Sequence, residues 1–108
     1  MMDLTISEMQ EMQRTLQAKY FDKWGGLPPS QARQKLLWLF SEAGEAADVI
    51  KKQGDEKILQ DATARALFIE EMADVLMYFN DVLLCYDITP EEFTAVYRKK
   101  HMANMSRW

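Results

Sequence analysis

Leu67-Phe68-Ile69-Glu70-Glu71-Met72-Ala73-Asp74-Val75-Leu76-Met77-Tyr78-Phe79, residues 67–79, is apolar on nearly every face when wound as a helix. At 3.6 residues per turn its Leu, Phe, Ile, Met and Val side chains do not reduce to a single stripe, and the run of apolar residues continues through Val82, Leu83 and Leu84. A helix of this kind is covered from several sides, which a short chain achieves most readily against another copy of itself. We place its start at about Asp61 or Thr63 and its end at Cys85. Two acids, Glu71 and Asp74, interrupt the apolar run three residues apart and therefore on one face. An unpaired charge in such surroundings is costly.

Working outward, the stretch before it reads as a second long helix. Ser30 is its N-cap, Leu36, Leu37, Leu39, Phe40, Val49 and Ile50 are its apolar residues, and Gly54 stops it after Gln53. Glu42 and Glu45 repeat the three-residue spacing on this helix. If the connection near Gly54 to Gln60 makes the two helices antiparallel neighbours, facing residues have position numbers with a constant sum. Glu42 with Asp74 and Glu45 with Glu71 satisfy one such sum, whose midpoint, Ile58, falls within the connection. Trp38 with Tyr78 satisfies it too. Two further helices complete the chain. Thr5 to Tyr20 carries Ile6, Met9, Met12, Leu16 and Tyr20 as an amphipathic stripe, and Thr89-Pro90-Glu91-Glu92 supplies a cap, a first-turn proline and a capping-box acid. Gly25-Gly26-Leu27-Pro28-Pro29 breaks the chain between the first two helices, and no strand-like alternation competes. The expectation is an all-α antiparallel bundle of about four helices, one domain over residues 1–108, completed by dimerisation.

Composition limits the function classes. With 48% apolar and 28% charged residues the chain is that of a folded, soluble protein, and 108 residues suffice for one small core. A net charge of −4 argues against a nucleic-acid partner, which requires a basic face. No segment has the length and apolarity of a membrane span, and the N-terminal residues show no leader pattern. The single cysteine, Cys85, excludes an internal disulfide and a cysteine-rich zinc site and reads as a core residue. A cytoplasmic protein is expected.

The four acids carry the chemistry. If Glu42, Glu45, Glu71 and Asp74 converge across the helix seam, two like charges about 5 Å apart repel by roughly 3 kcal/mol at an effective dielectric of ~20. No lysine or arginine stands three or four residues from any of them, so neither helix neutralises its own pair. All-oxygen carboxylate sites suit hard cations, and magnesium, with manganese as its substitute, takes a few carboxylates while keeping positions for water and phosphate oxygens. Read alone, Glu42 and Glu45 are equally well solvated surface acids. A di-iron bundle needs a Glu-x-x-His element, and the only histidine, His101, follows Arg98 instead. Neither a Walker-type phosphate loop nor a Ser-His-Asp set is present.

Leu39-Phe40-Ser41-Glu42-Ala43-Gly44-Glu45-Ala46-Ala47-Asp48 and Glu70-Glu71-Met72-Ala73-Asp74-Val75-Leu76 resemble the two central helices of the MazG-like nucleotide pyrophosphohydrolases, with their ExxE and ExxD signatures. Lys100, Asn104 and Arg107 are similar to that family's K-x-x-x-N-x-x-R ending. The resemblance spans roughly residues 31–107. It implies magnesium-dependent hydrolysis of a nucleoside triphosphate between the α and β phosphates, in a homodimer or tetramer, with Glu42, Glu45, Glu71 and Asp74 as metal ligands. Glu45 is the candidate for an added role as general base. Phosphoribosyl-ATP pyrophosphohydrolase, a related helical enzyme, is the alternative substrate reading, and a non-catalytic helical interaction module is the alternative class.

Lys100, Asn104 and Arg107 follow four- and three-residue steps and could hold the triphosphate from one helix face. Basic residues near a helix C-terminus also answer its dipole, which gives Asn104 no reason to be there. Trp38 and Tyr78, one turn beyond the Glu42/Asp74 pair, are either base-stacking rings or core aromatics, and the position of Tyr78 resembles that of a base-contacting tyrosine in some family members. Trp24, beside Gly25-Gly26, is a lid over the base or a loop anchor.

Overall fold

The computed structural model describes residues 2–108, among which every regular element is helical. In chain order these are α1 (Ile6–Lys19), α2 (Phe21–Trp24), a 3₁₀ turn (Pro29–Gln31), α3 (Ala32–Gln53), α4 (Asp55–Gln60), α5 (Ala62–Cys85) and α6 (Pro90–Met105). No helix among the described residues is long and apolar enough to cross a membrane.

The frame is the pair α3 and α5, of 22 and 24 residues, which pack along each other more extensively than any other elements. Gly54 ends α3 at φ 85, ψ 156, a region that only glycine occupies without strain. A Cβ at this position would meet nothing within 4 Å, so the requirement is conformational and not steric. The short α4 then carries the chain to Asp61, whose side chain accepts from Ala64 N at 2.9 Å and caps α5. α3 starts at Ala32, two residues after the expected Ser30 cap, because Pro29–Gln31 form the 3₁₀ turn. The cap read from sequence at Thr89 is formed, accepting from Glu92 N at 3.1 Å, and Thr5 and Glu8 make a reciprocal capping box that the sequence reading did not name.

The buried apolar set is small, comprising Ala32, Ala46, Val49, Ala64, Leu83, Leu84 and Cys85. On α1 the expectation fails. Met12 and Leu16 are exposed, and the face turned to the frame is Gln10, Gln13 and Gln17, all buried. Their partners are polar groups of α5 and its C-terminal turn, so the helix is seated by hydrogen bonds instead of by its apolar stripe. Much of the apolar surface of α5 stays uncovered as well, with Leu67, Ile69, Met72, Leu76 and Met77 exposed.

α6 also departs from a closed bundle of four. Phe93 meets Phe79 of α5 edge-on at 5.1 Å, but residues 95–108 are all exposed. Asp87, in the turn between α5 and α6, has φ 53. An aspartate tolerates this left-handed backbone better than most residues do. The radius of gyration is 16.2 Å, against about 13 Å for a compact chain of this length.

Candidate metal and ligand cleft

One turn of α3 and one of α5 bring Glu42, Glu45 and Glu71 together, each offering a carboxylate oxygen within 4.8 Å of the others. Asp74 falls outside this trio but lies beside it on the wall of the adjoining cleft and acts on both Glu42 and Glu71. Glu42 and Glu71 are half-buried and Glu45 is exposed. Among the described residues the ion pairs are Arg14–Glu11, Lys35–Asp81 and Lys52–Asp48, so no cation pairs with any of the four. Glu42 Oε2 and Glu71 Oε2 are buried without a hydrogen-bond partner. Orphaned carboxylate oxygens of this kind suit a hard divalent cation, which would take the place of the missing donors.

Crowding shows in the proton affinities. Burial, then the neighbouring Glu45, Asp74 and Glu71 carboxyls, pushes Glu42 up to about 7. Glu71 is raised by burial and by Glu45 and Asp74, against an opposing influence of the Glu42 carboxyl. Both groups bind a proton more tightly in the folded chain than in the unfolded one. For Glu42 the stability this provides is complete below the ordinary value of 4.5 and is lost as pH rises through about 7, and Glu71 acts in the same direction. Asp81, raised by burial, adds to the same trend. The metal-free melting temperature is therefore expected to fall across this window and to fall less steeply in Glu42→Gln. Thermal melts at several pH values check this; a metal-free curve that is flat or rising between about pH 4.5 and 7 contradicts it.

Beyond the acids, a cleft of about 590 Å³ opens between α1, α3 and α5. Trp38 and Tyr78 line it with ring centroids 5.9 Å apart, in the facing register expected from their positions. Trp24 borders the cleft and is also anchored: its ring packs on Tyr20 at 4.6 Å and its carbonyl accepts from Gln31 Nε2 at 2.9 Å.

At the far end stands a buried polar group that the sequence reading missed. Asp81 accepts from Gln13 Nε2 at 2.8 Å and Gln17 Nε2 at 3.2 Å, and its Oδ2 lies 4.0 Å from Lys35 Nζ. Lys35 and Asp81 are each 3% exposed. They continue the register that pairs Glu42 with Asp74 and Trp38 with Tyr78, so the same constant sum would have found them. Burial also pushes the Cys85 thiol up and keeps it inert, in the core position expected for it.

Lys100, Asn104 and Arg107 are not brought to the cleft of their own chain. They lie on or just after the outlying part of α6, all exposed, and Arg107 follows the end of the helix with its guanidinium over the Trp108 ring at 4.6 Å. No family model, curated protein or solved structure matches the chain.

Proposed function

We propose that this chain is a magnesium-dependent nucleoside triphosphate pyrophosphohydrolase that converts an NTP or dNTP to the monophosphate and pyrophosphate, in keeping with the MazG-like resemblance of its two central helices. One observation carries the reading. Three carboxylates from two helices meet without a cation partner, two of them with orphaned buried oxygens, beside a cleft lined by two aromatic rings.

Glu42, Glu45, Glu71 and Asp74 are the residues that would hold the metal, with manganese as an alternative ion. When bound, the ion supplies Lewis-acid polarisation of phosphoryl oxygens and a bound water of lowered pKa. Glu45, the exposed member of the trio, would accept the proton of the attacking water. Trp38 and Tyr78 offer ring faces to the base, and the orphaned Glu42 and Glu71 oxygens keep phosphate away from this wall unless a cation lies between. The biological role we assign is clearance of unwanted nucleotides in the cytoplasm.

The functional unit in this proposal is a homodimer or tetramer. The exposed apolar residues of α5, the outlying α6 and a radius of gyration well above the compact value all favour a second copy as cover. Lys100, Asn104 and Arg107 would then serve a site that another protomer helps to build.

The direct test is release of pyrophosphate and monophosphate from a panel of canonical and modified NTPs and dNTPs, with and without magnesium. Magnesium-dependent release of both products from at least one nucleotide is expected. Folded protein that turns over none of them sinks the enzyme reading and leaves the interaction module.

A further inference from the structure

Three layers follow one another along the cleft. Glu42 and Asp74 form its acidic end, Trp38 and Tyr78 its aromatic middle, and Lys35 and Asp81 its buried polar end. From Glu42 to Lys35 is two helical turns, about 10 Å at 1.5 Å per residue. Phosphate, stacked ring and ring edge come in the same order in a nucleotide.

The polar end has both a donor and an acceptor to spare. Each Asp81 oxygen takes an amide N–H, from Gln13 on one side and Gln17 on the other. Committing its Nε2 fixes the orientation of the Gln17 amide and leaves Gln17 Oε1 buried with no partner. Lys35 Nζ, 4.0 Å from Asp81 Oδ2, is charge-balanced but beyond hydrogen-bond distance, and it forms no hydrogen bond within the chain among the described residues. A buried acceptor and a buried cationic donor thus flank the same Asp81 oxygen at the end of the cleft. Buried groups of this kind normally find partners.

We infer that Lys35 and Gln17 read the edge of a nucleobase and select a lactam, an N–H beside a carbonyl, as in uracil, thymine, guanine or hypoxanthine. This inference rests on the reading of the cleft as a nucleotide site. The lactam N–H donates to Gln17 Oε1 and its carbonyl oxygen accepts from the Lys35 ammonium, a charge-assisted bond. Adenine and cytosine present the reverse order: with the base held the same way, a ring nitrogen lone pair faces Gln17 Oε1 and an amino group faces the Lys35 ammonium, so neither buried group is answered. A site whose buried polar groups are answered by one edge and left unpaired by another discriminates strongly.

The test needs neither phosphate nor metal. Uridine, inosine, cytidine and adenosine are titrated into the full chain while the fluorescence of Trp38 and Trp24 is followed, beside N3-methyluridine and N1-methylinosine, in which the lactam N–H is blocked. Tighter binding of uridine or inosine by about tenfold or more, lost on N-methylation, is expected, together with loss of the preference in a folded Gln17→Leu variant. A response to uridine alone assigns a pyrimidine and to inosine alone a purine. Equal binding of cytidine and adenosine, indifference to N-methylation, or no binding of any nucleoside overturns the inference. Because the change is made in the ligand, misfolding cannot mimic the result, and because phosphates are absent, the outcome is independent of the pyrophosphate assay.

Discussion

Glu71→Gln is expected to lower magnesium-dependent pyrophosphate release by roughly 10²–10³-fold, the loss typical of removing one preorganised charge-stabilising contact, while raising the melting temperature of the metal-free protein. The two effects have one cause. Glu71 belongs to the trio whose oxygens crowd within 4.8 Å, and its proton affinity is raised by burial and by Glu45 and Asp74. A neutral amide of the same shape removes one of the like charges and, in the function proposed above, one of the carboxylates that would hold the metal. A residue that lowers the stability of the metal-free fold and yet is needed for turnover would show the pattern of a functional site and not of a structural one. The contrast should be largest above pH 7, where Glu42 has lost its proton. A variant that keeps magnesium-dependent turnover, or that melts lower than the wild type without metal, contradicts this account.

Asp81→Ala acts on stability with the opposite sign. Asp81 is the common partner of Gln13, Gln17 and Lys35, and removing it leaves a lysine that is 3% exposed with no counter-charge. Breaking a buried pair from one side costs about 3–5 kcal/mol, a large share of the roughly 5–15 kcal/mol available to a domain. For a chain of this size the expected fall in melting temperature is roughly 12–40 °C. Replacing both partners with apolar residues, Lys35→Met with Asp81→Leu, should restore most of the loss, since it is the unpaired charge and not the absent bond that costs most. Calorimetry of the single and double variants decides it. An Asp81→Ala protein as stable as the wild type would mean that Lys35 escapes to solvent.

The frame was legible in the sequence because its signals are local or follow from one geometric rule. Gly54 and Thr89 mark helix ends through their own backbone and side-chain chemistry, and the antiparallel register of α3 and α5 fixes which positions face each other. That rule placed Glu42, Glu45 and Glu71 together and Trp38 against Tyr78. The same rule reaches Lys35 and Asp81, but a lysine on a helix reads as a solvated residue until its partner is identified. The seating of α1 was not legible. Apolar periodicity selects Met12 and Leu16, and the face that is buried depends on Asp81 and the C-terminal turn of α5, distant in the chain. Nor was the direction of α6, which leaves the frame after a turn that includes the left-handed Asp87 backbone. The spacing of Lys100, Asn104 and Arg107 gives a common side but not what that side meets.

The glutamine seam of α1 gives the two walls of the cleft different durability. α3 and α5 are joined along their whole length, whereas α1 is fastened by a few amide hydrogen bonds, one of them, Gln10 Nε2 to the Ile88 carbonyl, stretched to 3.4 Å. An element with few apolar contacts detaches at a smaller free energy than global unfolding requires. Of the two walls, α1 is therefore the one expected to loosen first, and it can do so without disturbing the carboxylates that α3 and α5 hold at the other end of the cleft.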